Sequence, residues 1–151
     1  MGPVRLEEIL ITPLKVITVS GGDVLHAIKK SDPSFLGFGE AYFSWVNPGV
    51  IKAWKLHRQM TLNLIVPVGE VKFVFHVLHS GKFREEILGE TRYYRLTVPP
   101  GIWFGFQGCN SAPSLLLNIS DIIHDPEEVV TKKVNAIPYK WNQTNNGFQK
   151  L

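Results

Sequence analysis

The stretch from Leu62 to Val77 sets the tightest limit on what this chain can fold into. Leu62–Val68 (LNLIVPV) is a short, nearly continuous apolar run, the pattern of a strand covered on both faces. Gly69-Glu70 turns the chain. Val71–Val77 then alternates, with Val71, Phe73, Phe75 and Val77 on one face and Lys72, Val74 and His76 on the other. Together they predict a hairpin closed by a glycine-containing turn. Further strands are predicted over Leu14–Ser20, Glu40–Val46, Val50–Leu56, Tyr93–Val98, Trp103–Gln107 and Leu115–Ser120. Turn residues divide them: Gly21-Gly22, Asn47-Pro48-Gly49, Ser80-Gly81, Pro99-Pro100-Gly101 and Ala112-Pro113. Only Leu6–Leu10 and Pro126–Lys133 read as helices. The second is opened by Asp125-Pro126-Glu127-Glu128, an N-cap, a first-position proline and acids in the first turn. Many short strands at even spacing predict an all-β sandwich or barrel, with a jelly roll as its form.

At 151 residues the chain suits one compact domain, expected over residues 1–141, followed by a loose polar tail over 142–151. Apolar residues make up 44% and charged residues 19%, which fits a globular chain rather than a disordered one. The net charge of +3 is scattered, so the basic stripe of a nucleic-acid binder is absent. Cys109 is the single cysteine and cannot close an internal disulfide. With no cleavable leader pattern and no apolar run of membrane-span length, a soluble cytoplasmic protein is expected.

Several blocks keep the order and spacing of a known family. Ser44 and Pro48-Gly49-Val50-Ile51-Lys52-Ala53-Trp54-Lys55-Leu56-His57 resemble the segment that dTDP-4-dehydrorhamnose 3,5-epimerases write as S…GVLRGLHYQ and sugar 3,4-ketoisomerases as RGxHxH. Val98-Pro99-Pro100-Gly101-Ile102-Trp103-Phe104-Gly105-Phe106 is similar to their VPPGxxHGF, and Asp125-Pro126-Glu127-Glu128 to their YDPExE. Ile137-Pro138-Tyr139-Lys140-Trp141 falls where they end on a tryptophan segment. The resemblance, over roughly residues 38 to 141, implies a cupin-type double-stranded β-helix. It also implies an epimerase or isomerase of a nucleotide-linked 4-keto-6-deoxy sugar in surface-polysaccharide synthesis, and a homodimer. The family's base histidine falls at Lys55 and its phosphate-binding arginine at Lys52. Its lysine falls near Leu62, its tyrosine acid near Asn118 and the histidine of HGF at Phe104. The unmodified epimerase mechanism therefore does not transfer.

Proton abstraction beside a ketone needs a base, a donor or cation at the enolate oxygen and, for epimerisation, a second acid on the opposite face. On an extended strand Lys55 and His57 point to one side and Trp54 to the other. His57 is the base candidate, since an unperturbed imidazole titrates near neutrality. Lys55 is the cation for the enolate oxygen or a diphosphate, or a base if burial lowers its pKa. Lys52 keeps the charge for a diphosphate without an arginine's bidentate geometry. Asn63 and Asn118 interrupt apolar strands, so each either ties the sheet or faces a ligand. Trp103 follows the Pro-Pro-Gly turn and either lines the barrel mouth or packs in the core. Glu85-Glu86 reads as a solvated acidic pair. Metal cupins supply His-x-His, a nearby Glu and a later His; here Lys55 and Phe104 take two of those places, so neither a metal nor another cofactor is expected. The expected partner is a nucleotide sugar. The alternative is a cupin that binds such a ligand, or scaffolds a pathway, without catalysis.

Overall fold

The computed structural model describes residues 2–142, so the predicted tail beyond Asn142 lies outside the described residues. Twelve strands appear in chain order: β1 (Leu10–Pro13), β2 (Val16–Ile17), β3 (Val24–Leu25), β4 (Glu40–Val46), β5 (Ile51–His57), β6 (Leu62–Val68), β7 (Glu70–Val77), β8 (Lys82–Gly89), β9 (Tyr94–Val98), β10 (Trp103–Gly108), β11 (Ser114–Ser120) and β12 (Val129–Thr131). They form two five-stranded antiparallel sheets, β1-β9-β6-β11-β4 and β12-β5-β10-β7-β8, with β2 and β3 as a separate ribbon. This is the predicted jelly roll. Among the described residues no helix is long and apolar enough to cross a membrane.

The main core fills the space between the sheets. Leu62, Leu64 and Val66 of β6 meet Val71, Phe73, Phe75 and Val77 of β7, joined by Leu96, Val98 and Leu116. A second apolar layer covers the outer face of β5, β10 and β7, where Trp54, Val74 and Trp103 pack under Ile137 and Trp141. Residues on both faces of these strands are therefore buried, which explains runs with few polar residues. Lys72 reaches this outer layer and donates to the Tyr139 hydroxyl at 2.8 Å, its ammonium 5.1 Å from the centre of the Tyr139 ring.

An irregularity in β5 decides which side chains enter the barrel. Phe104 pairs with Lys55 but Gly105 pairs with Ala53, leaving Trp54 as an extra residue. Such a bulge resets the two-residue alternation. Lys52 and Lys55, three apart and on opposite faces of a regular strand, thus share the inner wall, while Trp54 turns outward. Gly105 is required at this point: a Cβ there would lie 2.4 Å from the Cβ of Ala53.

Three local expectations are corrected. The helix predicted over Leu6–Leu10 is a single 3-10 turn, Leu6–Glu8, closed where Glu8 accepts from the Arg5 N–H at 2.9 Å. The strand predicted over Leu14–Ser20 shrinks to Val16–Ile17, and β1 precedes it instead. The helix predicted over Pro126–Lys133 is a turn followed by β12, because Val129-Val130-Thr131 is β-branched and closes the open edge of β5. Besides β1 and β12, the strands β3 and β8 are absent from the sequence prediction. In β8, Glu86 pairs with Arg84 at 3.0 Å and Arg92 at 3.2 Å, whereas Glu85 is exposed, as expected, and accepts from the Tyr139 hydroxyl.

Candidate active site

A cavity of about 440 Å³ lies between the sheets, bounded by β4 and β11 on one side and by β5, β10 and β12 on the other. The inward residues of β5, Lys52, Lys55 and His57, line it, as does Asn118 from β11. The sequence candidates thus converge, apart from two.

His57 closes β5 and is mostly buried, its ring stacked 6.1 Å from that of Phe104. Its Nδ1 bonds to Oε1 of Glu128. A carboxylate can only accept, so Nδ1 is the donor, and in the neutral ring Nε2 keeps the lone pair. Glu128 is 4% exposed. Its other oxygen, Oε2, accepts from the backbone N–H of Gln59 at 3.0 Å and of Met60 at 3.1 Å. Burial opposes the charge, but the bonds from His57, Gln59 and Met60 outweigh it and hold the carboxyl below the ordinary glutamate range. The backbone makes this pairing inevitable once β12 forms. Val129 is the register partner of His57, and the Arg58 N–H donates to the Glu128 carbonyl at 2.8 Å.

The two ammonium groups differ from this arrangement. Lys52 Nζ donates to the Trp45 carbonyl at 3.3 Å, and both lysines are exposed at the cavity wall. Among the described residues neither is paired with a carboxylate within 4.0 Å. Their charge is available to an anion. On the facing sheet, Asn118 donates through Nδ2 to the Tyr42 hydroxyl at 3.2 Å.

Two candidates do not reach the cavity. Asn63 points to the outer face of β6, where it accepts from Arg95 Nε at 3.1 Å and Thr97 Oγ1 at 2.6 Å and donates to the Ser34 carbonyl at 3.3 Å. It ties the sheet to the covering segment, because parity on β6 sends Leu64 inward in its place. Trp103 is 5% exposed in the outer layer with Trp54 and lies under the Lys132 ammonium, 4.9 Å from its ring. Phe104 takes the inward place beside it. Two side chains that contact the candidates escaped the sequence reading, Glu128 beside His57 and Tyr42 on the cavity wall beside Asn118. Glu128 was masked by its helix-start context, and Tyr42 by the apolar run of β4. Among the described residues no three His, Cys, Asp or Glu side chains gather as a metal site.

No protein-family model matches the chain. A solved dTDP sugar isomerase from Desulfovibrio desulfuricans G20 is 36% identical to it, over 89% of this chain and 91% of that one, with a TM-score of 0.85. A dTDP-6-deoxy-D-glucose-3,5-epimerase from Legionella pneumophila, solved with dTDP-4-keto-L-rhamnose, shares the fold at 18% identity and a TM-score of 0.80, over 95% and 83% of the two chains. A curated relative described as a probable low-salt glycan biosynthesis epimerase of Haloferax volcanii is 26% identical over 66% of this chain. The match spans 65% of that relative's length, just under two thirds.

Replacing Glu128 by Gln should cost about 1–3 kcal/mol through the lost charge-assisted bonds. The folded pKa of Glu128 lies below the unfolded value of about 4.3, so its contribution is present above that pH and lost as pH falls through the folded value. Thermal melts taken from neutral pH downward should show the wild-type advantage over Glu128→Gln shrinking below about pH 4. An advantage that persists unchanged into acid would contradict this role.

Proposed function

The chain belongs to the dTDP-sugar isomerase and epimerase family of cupins, and from that premise we propose that it abstracts the carbon-bound proton beside the ketone of a dTDP-linked 4-keto-6-deoxy sugar. The observation that carries this reading is the His57–Glu128 pair, which leaves one imidazole nitrogen unprotonated at a cavity with two ammonium groups on the same wall. His57 Nε2 takes the proton, and the Glu128 carboxylate stabilises the imidazolium that forms. Lys55 faces the developing enolate oxygen, where a positive charge on the cavity wall lowers the barrier. Lys52, nearer the start of β5, takes the diphosphate as a point charge. The base thus sits one inward position further along β5 than the family's histidine. A place in surface-polysaccharide synthesis is supported by the curated relatives, one of them described as a spore coat polysaccharide biosynthesis protein of Bacillus subtilis, 25% identical over 70% of this chain and 76% of that protein.

The reading extends to a homodimer. The outward face of edge strand β4 leaves Phe43 63% and Trp45 59% exposed, an apolar surface that a second copy would cover. Light scattering in solution should give twice the chain mass; a monomer removes that part of the reading.

Incubation with a dTDP-4-keto-6-deoxyhexose in heavy water, followed by NMR, tests the chemistry. Deuterium should enter at C3 or C5, and His57→Ala should slow uptake by about 10²–10⁴-fold while nucleotide binding persists. Tight binding without exchange would mean a binding protein instead. Failure to bind any nucleotide sugar would overturn the substrate class.

A further inference from the structure

The segment 132–142, which follows β12, runs as a strap over the outer face of the β12-β5-β10-β7-β8 sheet and is fastened to the strands it passes. On β5, the Trp54 N–H donates to the Lys132 carbonyl and the Lys132 N–H to the Trp54 carbonyl, both at 3.0 Å. The Trp54 indole donates through Nε1 to the Val134 carbonyl at 3.0 Å, and the Trp141 ring packs on it with centres 5.4 Å apart. On β10, Gln107 Nε2 donates to the Asn142 carbonyl at 3.0 Å. Tyr139 ties down the far side, since its hydroxyl accepts from Lys72 of β7 and donates to Glu85 of β8. Burial, reinforced by the Glu85 carboxylate, pushes this phenol well above its usual range, so it keeps the proton that it donates.

The strap bears on the cavity because Trp54 is the extra residue of the β5 bulge. Toward β10 it has no register partner, while Phe104 pairs with Lys55 and Gly105 with Ala53. An extra residue still carries backbone groups and a side chain that must be accommodated. Lys132 takes the backbone groups and the outer layer takes the indole. In a regular strand Lys52 would share the outward face of Trp54. With the extra residue it pairs with Phe106 and lines the cavity. The two ends of β5 are therefore held by different contacts. His57 is fixed by its register with Val129 and by Glu128, whereas the placement of Lys52 depends on Trp54.

We propose that the 132–142 strap, acting through Trp54, positions the Lys52 ammonium, so that side chains on the outer face of the sheet set the affinity for a diphosphate bound at its inner face. The inference rests on the diphosphate role proposed above for Lys52. Tyr139 and Trp141 lie outside the cavity lining and are positioning residues. A small displacement of a binding group by contacts remote from the ligand is enough to cost affinity.

Calorimetric titration with dTDP tests the coupling. Lys52→Met removes the ammonium and should weaken binding by about 10–100-fold. Trp141→Leu removes only the ring that packs on Trp54. It should weaken dTDP by about 3–30-fold alone, and by less than about twofold in the Lys52→Met background. With dTDP-4-keto-6-deoxyglucose in heavy water, Trp141→Leu should raise KM in step with that loss. Its kcat for exchange should stay within about twofold of the wild type, because the base is held from β12. If Trp141→Leu does not fold, Tyr139→Phe carries the same cycle, since it keeps the ring and cuts only the ties to Lys72 and Glu85. Equal losses with and without Lys52 would mean general structural damage and overturn the strap's role, as would unchanged dTDP affinity in the strap variant; both leave the base intact. Unchanged affinity in Lys52→Met overturns the diphosphate role and this inference with it. A wild-type protein that binds no dTDP overturns the substrate class as well.

Discussion

A carboxylate almost sealed from water, that of Glu128, is the group on which the rest of the site depends. Placing such a charge in a low-dielectric interior costs several kcal/mol unless every lone pair finds a donor. Here the imidazole of His57 and the amides of Gln59 and Met60 supply them. The same three bonds fix the ring of His57, pin the turn that leaves β5 and lock β12 along that strand's edge. A single buried charge thereby sets the tautomer of the base and closes one side of the barrel.

The sandwich converts that local arrangement into a site with two sides. Sheets packed face to face present inward residues of independent strands across a gap. β5 carries the imidazole and two ammonium groups, and β4 with β11 carries a phenol and an amide. The bulge at Trp54 makes this possible. It recruits Lys52 to the wall that Lys55 and His57 already occupy and sends an indole into the outer layer. Positive charge is thus concentrated on one wall, while the other carries a phenol and an amide beside the Glu40 carboxylate.

Much of the fold was legible because burial on a pleated surface leaves a period of two. β4, β6, β7, β9, β10 and β11 fall where the alternation and turn residues put them. β8 was hidden because its charged side chains satisfy one another along the strand and with Arg92 of the following turn instead of marking a loop. Asp125-Pro126-Glu127-Glu128 carries sound local helix signals, but tertiary pairing of a β-branched run outweighs a propensity difference of less than about 1 kcal/mol per residue. The site was half legible for the same reason. Parity alone joined Lys55 to His57, but it gives no account of Lys52 on the same wall, since an extra residue in a strand leaves no mark in composition. Asn63 and Trp103 have the right chemistry on the wrong side of their strands. Glu128 and Tyr42 meet His57 and Asn118 through pairings of distant segments, which no local pattern encodes.

The state of the His57 ring tests this account most directly. Long-range nitrogen–proton NMR correlations on protein carrying labelled histidine report which ring nitrogen holds the proton in the neutral form. The account predicts a proton on Nδ1 and a bare Nε2 in the wild type, with the preference weakened or reversed in Glu128→Gln. A wild-type ring protonated on Nε2, or one indifferent to the loss of the Glu128 charge, would contradict it.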